Sequence, residues 1–244
     1  MGGKRQYETI KSSSIAISEF VSKIDGEILV SHVGYSASYN PLTRIPNWVA
    51  YELTKEETMG TVKRDSRFYN DPSIPLNLQA TFDDYRNEDR WDKGHMAPAG
   101  DMKWSEQAML ESCYFTNICP QNRNLNNGDW KSLEEKCRSW AQKYGNINII
   151  CGPIIGTMRN GTLGKNQVVI PDAFFKIIMV KKSEQYEGVA FVFENKAGHR
   201  DLFDYAMSID SVELITGLDF FGQLQNEIEN EMESDFNKSF WLDH

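Results

Sequence analysis

Trp130, Leu133, Cys137, Trp140, Ala141 and Tyr144 recur at helical spacing, and Gly145 ends the run. Side chains so spaced share one face of a helix, which must then be buried against something. Next come INIICGPII, VVIPDAFFKIIMVK and YEGVAFVFE, β-rich runs parted by turn residues. Strands and helices mix along the chain without a βαβ rhythm. The class read from this order is α+β, with a mixed or antiparallel central sheet flanked by helices.

The other segments are shorter. Residues 14–22 and 28–38 read as strand or irregular packing segments. YNPLTRIPNWVAYELT gives a Pro-bounded turn and then a strand around Trp48–Leu53. Residues 63–91 are polar, carry Pro72 and Pro75, and read mostly as loop. Ser105 is placed to cap a short helix over WSEQAMLES, and CYFTNICP reads as a short strand. In the tail, Leu224, Ile228, Met232 and Phe236 stand four apart with acids between them. That spacing predicts an acidic amphipathic helix with a solvated face over 222–244. No repeat or low-complexity linker interrupts the chain, which reads as one domain over 1–244 with its core at about 35–221.

Composition narrows the function classes. The chain has 244 residues, 40% of them hydrophobic, enough for a sizeable core. No apolar run approaches bilayer length, so no membrane segment is expected. Net charge is −9, and from Asp210 to His244 there are nine acidic residues and one Lys. The body is therefore near neutral, without a global basic footprint for nucleic acid. Four cysteines (Cys113, Cys119, Cys137, Cys151) show no CxxC, which argues against zinc. Three stand in apolar contexts and read as buried free thiols, with one disulfide left open. The opening MGGKRQYETIKSSSIAISEF has no apolar signal core.

The chemistry centres on DKGHMAPAGDM, Asp92 to Met102. His32 and His199 lack interpretable polar company and His244 is terminal, which singles out His95. Downstream, Asn126 stands at the opening of the amphipathic helix, Glu134 at the margin of its apolar face, and Arg138 one turn on, where the two can pair. A hard cation such as Mg²⁺ takes oxygen ligands and keeps much of its water, so an amide oxygen and a carboxylate suit it. A neutral His is a base toward water. Arg64, Arg67, Lys93 and Arg123 are candidate donors to phosphate. Each piece also has a bland reading: a structural loop His, an N-cap Asn, a surface ion pair.

Together, DKGHMAPAGDM and YFTNICPQNRNLNNGDWKSLE resemble the DNA/RNA non-specific endonucleases, the endonuclease G and sugar-non-specific bacterial nuclease type with a ββα-metal (His-Me finger) site. NWVAYELT, RDSRFYNDPSIP, IICGPII, VVIPDAFFKIIM and IDSVELITGLDFF extend the resemblance over about Tyr35 to Phe221. It implies His95 as general base, Asn126 as the direct ligand to Mg²⁺ (Mn²⁺ as substitute), and Glu134 as a carboxylate reaching the ion through water. Arg64 falls on the phosphate-contacting loop arginine, with Arg67 as an offset competitor. Asn117 and Arg138 fall on supporting positions, and Asp92 on the acid that opens the motif. Lys93 stands where the family usually has Arg, which keeps the charge but loses the bidentate fork.

The resemblance implies hydrolysis of DNA and RNA, single- or double-stranded, read through the backbone, leaving 5′-phosphate ends. His95 is expected to donate from its other ring nitrogen to a backbone carbonyl. The small residues Ala97, Pro98, Ala99 and Gly100 are expected to turn the chain tightly between hairpin strands. A homodimer is left open. The exported bacterial members, and the hazard of such a nuclease in its own cytoplasm, point to a secreted or periplasmic, envelope-associated protein. The alternatives are a catalytically weakened nuclease-fold protein that binds nucleic acid without cutting it, and a phosphodiesterase for small substrates.

Overall fold

The computed structural model describes residues 17–183 and 185–242. The readings of the Met-Gly-Gly opening, of 14–16 and of terminal His244 lie outside the described residues.

The strands are β1 (Ile28–Ser31), β2 (Ser36–Asn40), β3 (Ile45–Thr54), β4 (Trp91–His95), β5 (Ile118–Asn122), β6 (Asn146–Ile154), β7 (Thr162–Leu163), β8 (Val168–Val169), β9 (Ala173–Lys182), β10 (Gln185–Glu194) and β11 (Ala206–Met207). The α-helices are α1 (Glu106–Ser112), α2 (Arg123–Asn127), α3 (Asp129–Tyr144), α4 (Ile209–Thr216), α5 (Asn226–Ser234) and α6 (Lys238–Leu242). Seven strands form the main sheet in the order β1-β2-β3-β6-β9-β10-β11. Every pairing in it is antiparallel, which resolves the expected mixed or antiparallel sheet. β4–β5 and β7–β8 are separate two-stranded ribbons.

Alternation along the strands divides the core. Val49, Tyr51, Leu53, Ile149, Cys151, Phe174, Ile178, Val189, Phe191 and Phe193 face one side, together with the buried face of α3. Trp48, Ala50, Ile150, Phe175, Ile177, Met179 and Ala190 face the other, packed with Phe20, Ile209, Val212, Phe220 and Met232. Both sheet faces are therefore covered, which explains why the central strands read as near-continuous apolar runs. Each large apolar side chain buried this way contributes about 1.5–3 kcal/mol relative to exposure. On the first face, Trp130 lies 5.6 Å from Phe174 and 5.9 Å from Phe193, ring centre to ring centre, and Trp140 lies 6.3 Å from Phe191. These contacts seat α3 across β9 and β10.

Several expectations are refined. Residues Ile17–Phe20 form a 3₁₀ turn, and Val21 then bridges Phe220. In CYFTNICP a 3₁₀ turn over Phe115–Asn117 comes first and the strand begins at Ile118. The expected single helix over 222–244 is instead two short helices, α5 and α6, separated by extended backbone at Asp235. Met232 and Trp241 of these helices are buried, while Phe236 packs from between them against the core. All four cysteines are buried and free, so no disulfide forms. Among the described residues no helix is long and apolar enough to cross a membrane.

Candidate active site

The ribbon and the helices that follow it make a ββα unit. His95 ends β4, paired with Ile118 of β5, and β5 runs directly into α2. Asn122 caps α2 by accepting from the backbone N–H of Asn124 at 3.1 Å and Leu125 at 3.5 Å. A Cβ on Gly128 would stand 2.5 Å from the carbonyl oxygen of Asn124, so this tight kink between α2 and α3 requires glycine. Asn126 therefore sits on α2, one helix earlier than expected, and Glu134 on α3. The Trp130 indole N–H donates to the backbone carbonyl of His95 at 3.4 Å and fastens the end of β4 to α3.

His95, Asn126, Glu134, Arg64 and Arg138 line one cleft of about 320 Å³. Pro98, Ala99, Gly100, Lys103, Asn127 and Lys131 complete its wall, and sequence reasoning gave the last three no role. A larger cavity of about 460 Å³ near Phe20, Trp48 and Asp219 holds none of the motif residues. The loop bearing Arg64 is held at the rim because the Val62 N–H donates to the Lys103 carbonyl at 2.9 Å. Farther along it, the Tyr69 hydroxyl donates to Asp65 Oδ2 at 2.7 Å.

His95 is 7% exposed, and its Nε2 is sealed from solvent without a hydrogen-bond partner. The ring thus meets the cleft through Nδ1. Its orientation comes from packing on Phe68, ring centres 5.3 Å apart. The expected donation from a ring nitrogen to a backbone carbonyl is not formed. Burial, and after it the Arg64 charge, push the imidazole down to about 3, so it is neutral at physiological pH. Glu134 moves the opposite way. Burial pushes its carboxyl up to about 7, with Asp101 adding to the shift and Lys176, Arg138 and Arg64 opposing it.

Asn126 donates its amide N–H to Asp92 Oδ2 at 3.1 Å. That bond commits the NH₂ end and presents the carbonyl oxygen as the remaining polar atom. Asp92 also accepts from Asn127 at 2.9 Å and from Arg123 Nε at 3.0 Å. It is the hub that orders α2, and Arg123 is engaged there, outside the cleft lining. An amide oxygen and a carboxylate on adjacent helices form an all-oxygen donor pair of the kind a hard divalent cation takes.

Asn117, Lys93 and Arg67 lie outside the cleft lining. The buried Asn117 side chain accepts from the Ala97 N–H at 2.9 Å and donates to the carbonyls of Ala97 at 2.8 Å and Ser112 at 2.7 Å. It clamps the chain just after His95. Lys93 is half-buried, its ammonium 5.1 Å from the Phe82 ring and 5.4 Å from those of Phe68 and Tyr85. Burial holds its pKa below the ordinary lysine value. Arg67 is exposed and pairs with Asp65 at 3.4 Å. Arg138 bonds Asp101 at 2.7 Å, so the expected Glu134–Arg138 pair gives way to a longer-range one.

Ala97 to Gly100 do not turn a tight hairpin either, because α1 stands between β4 and β5. Their small size serves packing: a Cβ on Gly100 would lie 2.9 Å from Arg138 Nη1. Lys176 was missed as well. It is wholly buried on β9, 4.4 Å from the Trp130 ring and 3.5 Å from the Met96 carbonyl. A lysine inside the apolar run AFFKIIMV was the available signal.

The chain is similar to known proteins in sequence and in fold. The DNA/RNA non-specific endonuclease family description matches residues 12–227. A mitochondrial nuclease EXOG from Xenopus laevis is 32% identical over 226 residues, covering 86% of this chain and 63% of the relative. The mitochondrial endonuclease G of Bos taurus is 32% identical over 205 residues, covering 79% of this chain and 68% of the relative. A crystal structure of an EndoG/EndoGI complex superposes with a TM-score of 0.75 at 28% identity, covering 82% of this chain and 88% of that one. The chain spans 56% to 63% of the length of the four EXOG relatives. Relatives named as mitochondrial overturn the expectation of a secreted or envelope-associated protein. From the motif order through the ββα unit to the sequence match, the chain belongs to the DNA/RNA non-specific endonuclease family.

Proposed function

We propose that this chain is a metal-dependent endonuclease that hydrolyses phosphodiester bonds in DNA and RNA and leaves 5′-phosphate ends. The observation that carries the reading is a neutral His95 meeting, through Nδ1, a cleft that also holds Asn126 and Glu134 and is rimmed by Arg64, Lys103, Lys131 and Arg138.

The Asn126 oxygen would hold a Mg²⁺ directly and the Glu134 carboxylate would hold it through water, with Mn²⁺ as substitute. Bound there, the ion would supply positive charge against that building on the phosphate and the departing 3′-oxygen. His95 Nδ1 takes a proton from the attacking water as its oxygen bonds to phosphorus, and the P–O3′ bond breaks as the 3′-oxygen takes a proton from a second water to leave as a hydroxyl. A phosphate placed on Arg64 offsets one of the two causes that depress the His95 pKa, so substrate binding raises the base strength of the imidazole. Arg64 and the lysines at the rim would contact phosphate rather than base edges, which supports little sequence preference.

Digestion of supercoiled plasmid and total RNA tests the reading, with Mg²⁺, with EDTA, and with His95→Ala. Cleavage of both substrates, abolished by EDTA and by the mutation, is the expected result. Cleavage that survives His95→Ala would overturn the role of the base. Binding without cleavage would favour the inactive binder, a reading that rested on Lys93 replacing Arg. The mitochondrial names of the relatives support a mitochondrial location, which fractionation of the native host would check.

A further inference from the structure

The nuclease reading leaves the strongest charge feature of the sequence unused, the acidic stretch from Asp210 onward. α4 and α5 bring part of it together. Asp210, Glu213 and Glu233 each offer a carboxylate oxygen, and these atoms all lie within 4.8 Å of one another. The three differ in setting: Asp210 is exposed, Glu213 half-buried and Glu233 only 4% exposed. Glu233 Oε1 is sealed from solvent and has no hydrogen-bond partner. A buried carboxylate oxygen without a donor is costly to keep, unless a proton or a cation sits on it.

We propose that Asp210, Glu213 and Glu233 bind a calcium ion that fastens α5 to α4. Calcium takes only oxygen ligands, six to eight of them at about 2.3–2.6 Å, in adaptable geometry with carboxylates in one- or two-oxygen contact. Two oxygens on one such ion stand at most about 5 Å apart, which the measured spread satisfies. Glu213 already accepts the Phe220 N–H at 2.6 Å through Oε1, so its other oxygen is the ligand offered. The charges that bear most on Glu233 are those of Glu213, Glu229, Asp210 and Asp219, all acidic. Its burial, and after it those charges, push its carboxyl up to about 9.

The place in the fold gives the ion work to do. Ile209, Val212 and Met232 of these two helices cover the sheet face opposite α3. An ion joining Asp210 and Glu213 to Glu233 ties the tail to that layer, and it relieves repulsion where like charges converge.

The cleft metal must be separated from this one, so the test uses the full chain carrying Asn126→Ala. Calcium chloride is titrated by calorimetry, and thermal unfolding is followed with and without it. The expected result is saturable binding at one site with a raised Tm. Adding Glu233→Gln, or Asp210→Asn at the exposed position, weakens that binding by at least about tenfold, since affinity follows the number of charged ligands. Either variant suffices, so a folding defect in one leaves the test intact. Absence of calcium binding to the folded Asn126→Ala chain would overturn the proposal. So would unchanged affinity in the folded double variants, which would leave Glu233 as a buried protonated acid.

Discussion

Arg138 Nη1 lies 2.7 Å from Asp101 Oδ1, so the arginine of α3 is held by a buried aspartate across the cleft floor rather than by Glu134 one turn before it. The Tyr51 hydroxyl donates to the other oxygen of Asp101 at 2.9 Å. Removing one partner of a fully buried pair costs about 3–5 kcal/mol, and partial exposure of Arg138 lowers that. Asp101→Ala should therefore destabilise the protein by about 2–3 kcal/mol in urea unfolding. It also releases Arg138 toward Glu134, so plasmid cleavage should fall further than the folded fraction does.

His95 and Glu134 give opposite pH signatures. The imidazole is depressed to about 3 in the folded state, so between there and its ordinary value near 6.5 the unfolded chain binds more protons. Its contribution to stability is complete above about pH 6.5 and is lost on acidification, by on the order of 1.4 kcal/mol per pH unit at most. His95→Ala should flatten the acid limb of the stability curve, read by denaturant unfolding between pH 4 and 7.

Glu134, raised to about 7 from an ordinary 4.5, works the other way. Without metal, its contribution is complete below its unfolded pKa and is lost as pH rises through about 7. The same proton competes with the cation. Apparent Mg²⁺ affinity should therefore weaken as pH falls below about 7, by at most about tenfold per unit. Calorimetry across that range with Glu134→Gln as control checks it, and an affinity flat in pH would remove Glu134 from the metal site.

The Lys93 ammonium is enclosed by Phe68, Phe82 and Tyr85. Cation–π contacts of this kind contribute about 0.5–2 kcal/mol. Lys93→Met should lower stability by about that amount while sparing most of the cleavage rate. Arg64→Ala should do the reverse, raising KM and reducing the salt dependence of binding with little change in unfolding.

Asn117 makes all its bonds inside the protein, to the chain around Ala97 and to Ser112. Asn117→Ala strands buried backbone groups and should cost about 3 kcal/mol or more. Thermal unfolding and cleavage should decline together, because the clamp that sets His95 is lost.

The helix, the central strands and the Ser105 cap were legible because periodicity, β-rich runs and capping are local signals. The cleft was legible in part: the motif and the family resemblance pointed to His95, Asn126 and Glu134, and the fold brings them together. Unread were the break at Gly128, which depends on a carbonyl close behind it, and the partner of Arg138, which lies far off in sequence. Lys93 reads in sequence as a donor to phosphate because residue type shows what a side chain can bond, and only packing shows which bond it makes. The acidic tail was read as a solvated face, although Glu233 is buried against its neighbours.

The residues lining the cleft all fall between Arg64 and Arg138, while β6, β9 and β10 follow as platform. A saturation mutagenesis library would therefore separate along the chain. Variants in the earlier stretch would include folded but inactive proteins, and variants in the later strands would lose activity through abundance. Lys176 is the position where the two classes should overlap, since it reaches from the platform to the backbone beside His95.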